Sequence, residues 1–474
     1  MKFSARTLGV SPGPSGPSRS LALSALLVAA LAPPLAAQPD RLRVAANGRY
    51  LERGDGRPFF YLGDTAWELF HRLNAEEAEF YLRNRAAKGF TVIQAVVLSQ
   101  LGGPDGPNAY GEAPLIGGDP RRPNEAYFRH VDRILDQAGS LGLFIGLLPT
   151  WGSYWKQVGR KQAPLFNVEN ARAWGRFLGR RYRDKAVIWI LGGDENIESD
   201  AERTVVEAMA AGLKEGDGGA HLATYHPRGP GLSSDYFHGA AWLDFNMFQS
   251  SHGGHDHDNG LYAEHDYALT PPKPTLDGEP RYETIPVGFY FRDANRLDRF
   301  DDYDVRQAAY WSLLAGACGH TYGHNSIWQM WQPGREPLVG ANIPWREALD
   351  RPGAFQMGLL KRLFTSRPFE KLTPAPQMIL DGPRSGGAKV RAACARDGSF
   401  AFIYSPRGEP FTVNKSLIRA RRLKEIWFDP RYGASYEVHR SENAGYQTYT
   451  PPTSGRGNDW LLILEAAGSG QSDR

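Results

Sequence analysis

The segment WILGGDEN (residues 189–196) places two adjacent acids directly after a short apolar run. An apolar run without polar alternation is typical of a strand that is buried on both faces, as in parallel sheets covered by helices. Residues that follow such strands lie at the edge where barrels and open α/β sheets bind their ligands. Asp194 and Glu195 are therefore candidates for acid–base chemistry, which requires a second carboxylate opposite them.

The segment LDGEPRYE (residues 276–283) supplies that second acid, Glu279. Two facing carboxyl groups can cleave a glycosidic bond, because one protonates the leaving oxygen while the other attacks the anomeric carbon or directs water onto it. In retaining barrel glycosidases the acid/base follows the fourth strand and the nucleophile follows the seventh. This order would make Asp194 the acid/base and Glu279 the nucleophile. Structural roles are the alternative, since Asp194 could cap a helix and Glu279 could pair with Arg281.

Asp194 is preferred to Glu195 as the acid. Neighbouring residues of a strand point to opposite faces, so only one of the two acids can face a given substrate atom. Two like charges across a site would also raise the pKa of the acid.

Eight apolar runs, each followed by helix-like sequence, could position these acids. Asn74 with Glu77 predicts a capping box at the start of the first helix, and Gly89 predicts its end. Eight βα repeats in about 320 residues predict an α/β fold, a (β/α)₈ TIM barrel, with an open doubly wound sheet as the alternative. The predicted strands are residues 59–65, 90–98, 143–151, 186–194, 221–227, 244–250, 273–279 and 320–326.

The pattern of apolar and polar residues changes at Leu372. Short alternating apolar runs separated by Gly, Pro and Asn predict a C-terminal all-β sandwich. The predicted domains are a catalytic barrel over residues 38–371 and a sandwich over residues 372–466, followed by a disordered tail at 467–474. Because no low-complexity linker separates the two domains, we expect them to pack together.

The N-terminal segment has the pattern of a secretory signal peptide (residues 1–37), in which basic residues precede an apolar run and small residues. Its three basic residues account for the formal net charge of +3, so the mature chain is neutral. It therefore lacks the excess of basic residues that is typical of proteins that bind nucleic acid. We expect a secreted or periplasmic protein without a membrane span. Cys318 and Cys394, in different predicted domains, are expected to be free buried thiols.

A barrel would collect the residues that follow its strands around one mouth. Aromatic rings stack on the C–H faces of sugars, while acids, amides and imidazoles bind hydroxyl groups. The mouth is therefore predicted to be a sugar site for an oligosaccharide or polysaccharide substrate, with no cofactor. The predicted substrate-binding residues are Asp64, Trp67, Trp151, Glu195, Tyr225, His226, Gln249, His252, Tyr282, His324 and Trp328.

Several segments resemble the apiosidase-like glycoside hydrolases, glycoside hydrolase family 140, which carry a C-terminal domain named as collagen-binding. The resemblance covers roughly residues 40 to 465 and includes LGDTAWELFHRL, IWILGGD, TYHPRG, LDGEPRYE, GHTYGHNSIWQM and GRGNDW. It implies that the Asp of GGD, Asp194, and the Glu of DGEP, Glu279, are the catalytic pair. It further implies the release of apiose, or of a related pentose, from the pectic side chains of rhamnogalacturonan II.

Other functions receive less support. The run HGGHDHD (residues 252–258) could bind a divalent metal, although a solvated loop with one histidine at the sugar is the preferred interpretation, and no metal is predicted. Outside the signal segment there is no nucleophile elbow of the G-x-S-x-G type, and no phosphate loop or HExxH zinc helix occurs. The remaining alternatives are a barrel glycosidase for another sugar and a non-catalytic glycan-binding protein.

Overall fold

The computed structural model describes residues 41–159 and 163–467. The predicted signal peptide and residues 468–474 of the predicted tail lie outside these ranges. Within the described ranges, no helix combines the length and the apolar composition that crossing a membrane requires.

The N-terminal part of the described chain is built around one sheet whose eight main strands are all parallel. These eight strands coincide with the eight predicted apolar runs. A small antiparallel sheet of β1 (Leu42–Val44), β2 (Leu51–Arg53) and β3 (Pro58–Phe59) precedes them. The main sheet consists of β4 (Tyr61–Thr65), β5 (Val92–Val96), β6 (Phe144–Leu148), β7 (Val187–Gly192), β8 (Ala223–His226), β10 (Asn246–Gln249), β11 (Thr275–Asp277) and β12 (Gly319–Tyr322), with the short β9 (Gly231–Leu232) antiparallel to β10.

The sheet closes into a barrel. The last strand, β12, pairs in parallel with the first, β4. On the other side, the Asp244 N–H donates to the Ala223 carbonyl oxygen (2.8 Å) and the Thr224 hydroxyl donates to the Phe245 carbonyl oxygen (2.7 Å), which joins β8 to the segment before β10. The predicted (β/α)₈ barrel is therefore confirmed, and an open doubly wound sheet is excluded.

Helices connect successive strands, and local sequence sets their ends. The first long helix begins at the predicted capping box, in which the Asn74 side chain accepts from the Glu77 N–H (2.9 Å) and Glu77 accepts from the Asn74 N–H (3.2 Å). It ends at Gly89, whose φ of 92° is in the left-handed region that glycine adopts without strain. The helices are α1 (Leu69–Arg72), α2 (Ala75–Lys88), α3 (Glu125–Ser140), α4 (Val168–Tyr182), α5 (Asp200–Asp217), α6 (Ser234–Phe237), α7 (Gly260–Ala268), α8 (Asp302–Leu314), α9 (Asn325–Trp328), α10 (Trp345–Ala348) and α11 (Pro352–Thr365).

The C-terminal part is an all-β sandwich, as predicted. A six-stranded antiparallel sheet faces a three-stranded one across a core that includes Val413, Trp427 and Leu462. The larger sheet contains β13 (Leu372–Pro374), β15 (Arg391–Ala395), β16 (Phe400–Ser405), β18 (Arg422–Phe428), β19 (Ser435–Glu442) and β21 (Trp460–Ala466), and the smaller contains β14 (Ile379–Asp381), β17 (Phe411–Asn414) and β20 (Tyr446–Tyr449).

The sandwich and the barrel share one apolar core, in which α8 and α11 pack against the larger sheet. Tyr310 of α8 stacks on Tyr404 of β16 with ring centroids 4.7 Å apart. The buried guanidinium of Arg306 donates to both carboxylate oxygens of Asp459, at 3.1 and 2.8 Å. The expectation that the two parts pack together is therefore confirmed.

The two cysteines lie on opposite sides of this boundary. Cys318 and Cys394 are both buried and both free, as predicted.

Candidate active site

The chain that carries Asp194 leaves β7 in an unusual conformation. Gly192, Gly193 and Asp194 have successive φ values of 96°, 84° and 62°. A side-chain carbon at Gly192 would lie 2.3 Å from the His226 carbonyl oxygen, and one at Gly193 would lie 2.7 Å from the Gly152 nitrogen, so both positions require glycine. The left-handed conformation of Asp194 costs about 1 kcal/mol or more, and such strain is concentrated at functional sites.

Glu279 follows β11 and is held by two imidazoles. His252 Nε2 lies 3.1 Å from Oε1 of Glu279, and His226 Nε2 lies 3.3 Å from Oε2. His226 ends β8 and His252 follows β10, so two neighbouring strands fix the carboxylate that the next strand presents. An imidazole that donates a hydrogen bond to a carboxylate stabilises its ionised form.

The two acids have opposite electrostatic environments. Burial, followed by the negative charges of Glu279 and Glu195, raises the pKa of Asp194 well above its ordinary value. Burial would also raise the pKa of Glu279, but the contacts with His226 and His252 outweigh it and hold that pKa well below the ordinary value. Asp194 therefore keeps its proton to a higher pH than an ordinary carboxyl group while Glu279 is ionised down to a lower one, which is the division of roles that a two-carboxylate mechanism needs.

Both carboxyl groups line one cavity of about 180 Å³ at the carboxyl ends of the strands. Trp67 and Trp151 meet edge to face with ring centroids 5.6 Å apart, and Trp67 also packs edge to face against His226 at 5.4 Å. Such flat rings can stack on the C–H faces of a sugar. The residues that line the cavity are Trp67, Gln100, Trp151, Asp194, His252, Glu279, Tyr282, Ile285, Phe289, Trp328 and Val339.

A comparison with known protein families agrees with this geometry. Residues 45–371 match the family described as "Apiosidase-like, catalytic domain". The chain belongs to the apiosidase-like glycoside hydrolases. Residues 373–465 match a second family, described as "Putative collagen-binding domain of a collagenase".

Two solved structures are similar to almost the whole of this apiosidase-like chain. A protein described as "Glycoside hydrolase" is 34% identical with a TM-score of 0.83, over 91% of this chain and 98% of that one. A glycoside hydrolase of family 5 from Bacteroides vulgatus ATCC 8482 is 32% identical with a TM-score of 0.82, over 90% of this chain and 93% of that one. No protein with a curated function matches the chain. The protein is a glycoside hydrolase, as the sequence predicted.

The structure brings most of the predicted site residues of the apiosidase-like enzyme together. Trp67, Trp151, His252, Tyr282 and Trp328 line the cavity beside the two acids. Two further predicted residues act on the acids themselves, because His226 Nε2 lies 3.3 Å from Oε2 of Glu279 and the Gln249 side chain opposes the rise in the pKa of Asp194.

Asp64 was predicted to lie at the mouth, and this prediction is wrong. Its Oδ2 accepts from the Tyr81 hydroxyl at 2.5 Å and from Nε of Arg85 at 2.6 Å, and all three side chains are fully buried. Tyr81 and Arg85 belong to α2, so Asp64 points out of the barrel into the layer of helices. Successive side chains of a barrel strand point alternately to the barrel interior and to the surrounding helices. Asp64 is one of those that point to the helices.

Tyr225 also faces away from the cavity, contrary to the prediction. Its hydroxyl donates to the Glu195 carbonyl oxygen at 2.5 Å, and its ring packs against Phe237 at 5.0 Å. The next residue, His226, has the opposite parity and faces Glu279. The prediction named both neighbours, whereas a strand can direct only one of them inward.

His324 and Glu195 were predicted to bind substrate, but neither lines the cavity. His324 is buried, where Nδ1 accepts from the Ser326 N–H at 3.0 Å and Nε2 lies 3.2 Å from the Thr284 hydroxyl, so it caps α9. The Glu195 carboxylate lies 3.7 Å from the Arg228 guanidinium. Of the two adjacent acids, Asp194 is the one at the cavity.

The structural role considered for Glu279, a pair with Arg281, does not occur. Arg281 Nη1 donates to the His255 carbonyl oxygen and to Oε1 of Gln307 at 3.0 Å, so the side chain points toward α8. The cavity is also lined by four residues that were not predicted from the sequence: Gln100, Ile285, Phe289 and Val339. All four lie on long loops, and the apolar aromatic run IPVGFYF (residues 285–291) was the signal that could have identified the loop after β11.

The histidine-rich run uses its side chains to hold the loop in place. His255 bridges Asp304 and Asp298, and hydrogen bonding to Asp304, despite burial, raises the pKa of His255 to about 9. Asp256 pairs with Arg407 of the sandwich at 2.8 Å. Within the described ranges, no group of three or more His, Cys, Asp or Glu side chains is arranged to hold a metal ion.

The opposite pKa directions predict a pH profile for the apiosidase-like enzyme. Because Glu279 must be ionised and its pKa is lowered, kcat/KM should fall only in strong acid. Because Asp194 must be protonated and its pKa is raised, kcat/KM should persist toward neutral pH and decline as the pH rises through that pKa. The profile of kcat/KM on an unactivated glycoside checks this, and an alkaline limb that persists unchanged in Asp194→Asn would contradict the assignment.

Proposed function

We propose that the protein is a retaining, exo-acting glycoside hydrolase that releases terminal apiose, or a related pentose, from pectic side chains of the rhamnogalacturonan II type. The observation that carries the mechanistic part is the pair of Asp194 and Glu279 in one cavity with their pKa values displaced in opposite directions. A non-catalytic glycan-binding protein would not need two carboxyl groups with such opposite pKa displacements.

The size of the cavity supports action on a chain end. Its volume of about 180 Å³ is smaller than the roughly 300–1,000 Å³ of pockets that hold drug-sized ligands. One sugar residue can occupy such a space between the tryptophans, while the remainder of the substrate lies outside. The choice of apiose is supported by the family to which the chain belongs.

The mechanism follows from the two carboxyl groups. The Glu279 carboxylate attacks the anomeric carbon as Asp194 transfers its proton to the leaving oxygen, which breaks the glycosidic bond and forms a glycosyl ester on Glu279. Asp194, now ionised, removes a proton from water, and the resulting attack on the anomeric carbon releases the sugar and restores Glu279. His226 and His252 hold the Glu279 carboxylate in its ionised form before the attack.

The identity of the released sugar tests the function directly. Purified rhamnogalacturonan II oligosaccharides are incubated with the enzyme, and the released monosaccharide is identified by chromatography against apiose and other pentose standards. We expect apiose, with none released by Glu279→Gln. Release of a different sugar would replace the proposed specificity, and release of none from a panel of plant glycosides would contradict the function.

The anomeric outcome tests the retaining mechanism. Proton NMR during early turnover should show the product first in the configuration of the substrate. A crystal structure should correspondingly place the carboxyl groups of Asp194 and Glu279 about 5 to 5.5 Å apart, whereas an inverting enzyme needs about 6.5 to 9.5 Å. An initially inverted product would refute the nucleophile role of Glu279.

We further propose that the protein acts outside the cytoplasm, in the periplasm or in the medium. The predicted signal peptide and the size of a pectic substrate support this location. N-terminal sequencing of the exported protein should give a start near Gln38, and retention of the full N-terminus in the cytoplasm would contradict it.

A further inference from the structure

The loop between β10 and α7 (residues 250–259) carries one of the two histidines that contact Glu279. Nε2 of His252 lies 3.1 Å from the Glu279 carboxylate, whereas Nδ1 of this buried ring has no hydrogen-bond partner within the described part of the chain. The role of one imidazole nitrogen is usually set by the hydrogen bond that the other one makes. The direction of the His252 ring therefore depends on its packing against Tyr282 and on how the backbone of the loop is held.

The barrel holds this loop at both ends and at its middle. The Ser250 hydroxyl donates to Oδ2 of Asp277 at 2.7 Å, and the Asn259 side chain donates to the same oxygen at 2.9 Å. Asp277 ends β11, two residues before Glu279. At the middle of the loop, two aspartates of the barrel hold the ring of His255. The acids that follow this histidine make their ion pairs elsewhere.

The remaining part of the loop is held by the sandwich. The Lys389 ammonium donates to Oδ2 of Asp258 at 2.7 Å, and Nη2 of Arg391 donates to both oxygens of that carboxylate, at 2.8 and 3.0 Å. Arg407 of the sandwich pairs with Asp256 at 2.8 Å. The side chains of Arg391 and Asp258 are only 6% and 15% exposed, so salt in the solvent screens this pair little. Three cations of the sandwich thus bind two acids of a barrel loop.

We propose that Lys389 and Arg391 of the sandwich are positioning residues for the nucleophile. Both act through Asp258, whose contact with them fixes the loop, and the loop directs His252 at Glu279. Neither cation lines the substrate cavity, so each acts on the loop and not on the sugar. This inference rests on the proposed role of Glu279, and it gives the sandwich a part in the reaction beyond the apolar core that it shares with the barrel.

A purely structural role is the competing explanation. In that case the ion pairs would only join the two parts, and their loss would lower the stability of the protein without changing the reaction. A positioning role predicts a different effect, because a displaced His252 no longer favours the ionised form of Glu279, whose pKa then rises toward its ordinary value. The other groups that act on this carboxylate are His226, Asp194 and Tyr282, and none of them belongs to the loop.

Asp258→Asn tests the proposal from the side of the loop. It removes the charge that the two cations bind, while the side-chain oxygen can still accept from the Gly260 N–H. We expect the acidic limb of the kcat/KM profile to move up by about one pH unit, and kcat to fall by about 10-fold with KM nearly unchanged. Arg391→Met should give the same changes from the side of the sandwich, and the double variant should show little further change.

Glu465→Gln is the matched control. It breaks another ion pair between the two parts, with Arg367, which follows α11 and lies outside the loop. The control should lower stability without moving the acidic limb. Arg407→Gln is a milder variant for the case in which Asp258→Asn does not fold, since it removes a partly exposed pair and should move the limb by a smaller amount in the same direction. An acidic limb that stays in place in these variants, or that moves equally in Glu465→Gln, would overturn the proposal.

Hydrogen exchange gives a readout that does not require turnover. Mass spectrometry should show faster exchange of the backbone amides of residues 250–259 in Asp258→Asn than in the wild-type protein, with no such change in Glu465→Gln. Unchanged exchange in this loop would also overturn the proposal. If Glu279→Gln remains active, the proposed mechanism fails, whereas the exchange result still decides whether the sandwich holds the loop.

Discussion

Glu279→Gln is expected to lower kcat by about 10⁵-fold or more on every substrate, because the nucleophile is needed in both steps of the reaction. The amide cannot form the glycosyl ester at a useful rate. The substitution preserves size, so His226 and His252 keep a partner of the same shape. Steady-state kinetics on an aryl glycoside and on the natural linkage measure the loss.

Glu283→Gln is the matched control for this variant. Glu283 lies four residues further along the same loop, is buried, and accepts a hydrogen bond from the Tyr322 hydroxyl at 2.7 Å, away from the cavity. Burial raises the pKa of Glu283 to about 7, so a neutral amide should be tolerated there. A Glu279 variant that retains more than a small fraction of wild-type turnover, or a Glu283 variant equally inactive, would contradict the nucleophile assignment.

Asp194→Asn should have an effect that depends on the leaving group. A natural sugar leaving group needs a proton, so we expect a loss of about 10² to 10⁴-fold on that linkage. A nitrophenolate leaves without protonation, so glycosylation by such a substrate should survive while deglycosylation slows for want of a base. Burst kinetics with a nitrophenyl glycoside should therefore show accumulation of the glycosyl-enzyme.

Azide distinguishes this role from its alternatives. In the Asp194→Asn variant an anionic nucleophile can enter beside the neutral amide, and it should restore turnover with a glycosyl azide of retained configuration. Glu195→Gln is the control, because Glu195 is adjacent in sequence but does not line the cavity. If azide rescues the Glu279 variant with retained configuration, Glu279 is the acid/base and Asp194 is the nucleophile. If Glu195→Gln lowers activity as much as Asp194→Asn does, Glu195 is the acid.

The strands of the barrel could be predicted from the sequence because burial on both faces leaves a simple pattern. A segment such as 187–192 is apolar throughout, since the core covers one side and the helices cover the other. The capping box at Asn74 was equally readable, because it depends on residues three positions apart. Local rules of this kind do not require knowledge of the tertiary structure.

The direction of polar side chains at strand ends was harder to predict. Asp64 and Tyr225 lie near the ends of their strands as expected, but their side chains point to Arg85 and Phe237 in the helix layer. In a strand buried on both faces, the residues that face the barrel interior are as hydrophobic as those that face the helices. Hydrophobic alternation therefore does not show which residues point inward. The direction of such a side chain is known only once the fold brings its partner close, as it brings the arginine of α2 to Asp64.

Loop residues at the cavity were the least predictable. Phe289 and Val339 reach the mouth from loops after β11 and after α9, and their position depends on contacts between segments distant in sequence. The backbone turn at Gly192 and Gly193 could be suspected from the paired glycines. That both approach other backbone too closely for any side chain is visible only in three dimensions.

The apolar core shared by α8, α11 and the larger sheet of the sandwich has a consequence for how this enzyme can be divided. A fragment ending near residue 371 would leave Tyr310 and Phe364, which pack on Tyr404 and Phe402 of the sandwich, facing water, together with an arginine whose buried counterion had been removed. Barrel and sandwich should therefore unfold in one cooperative transition, and the sandwich is not an accessory that can be exchanged like a tethered binding module. Recombination among related enzymes would have to transfer both parts together, or rebuild the surface between them.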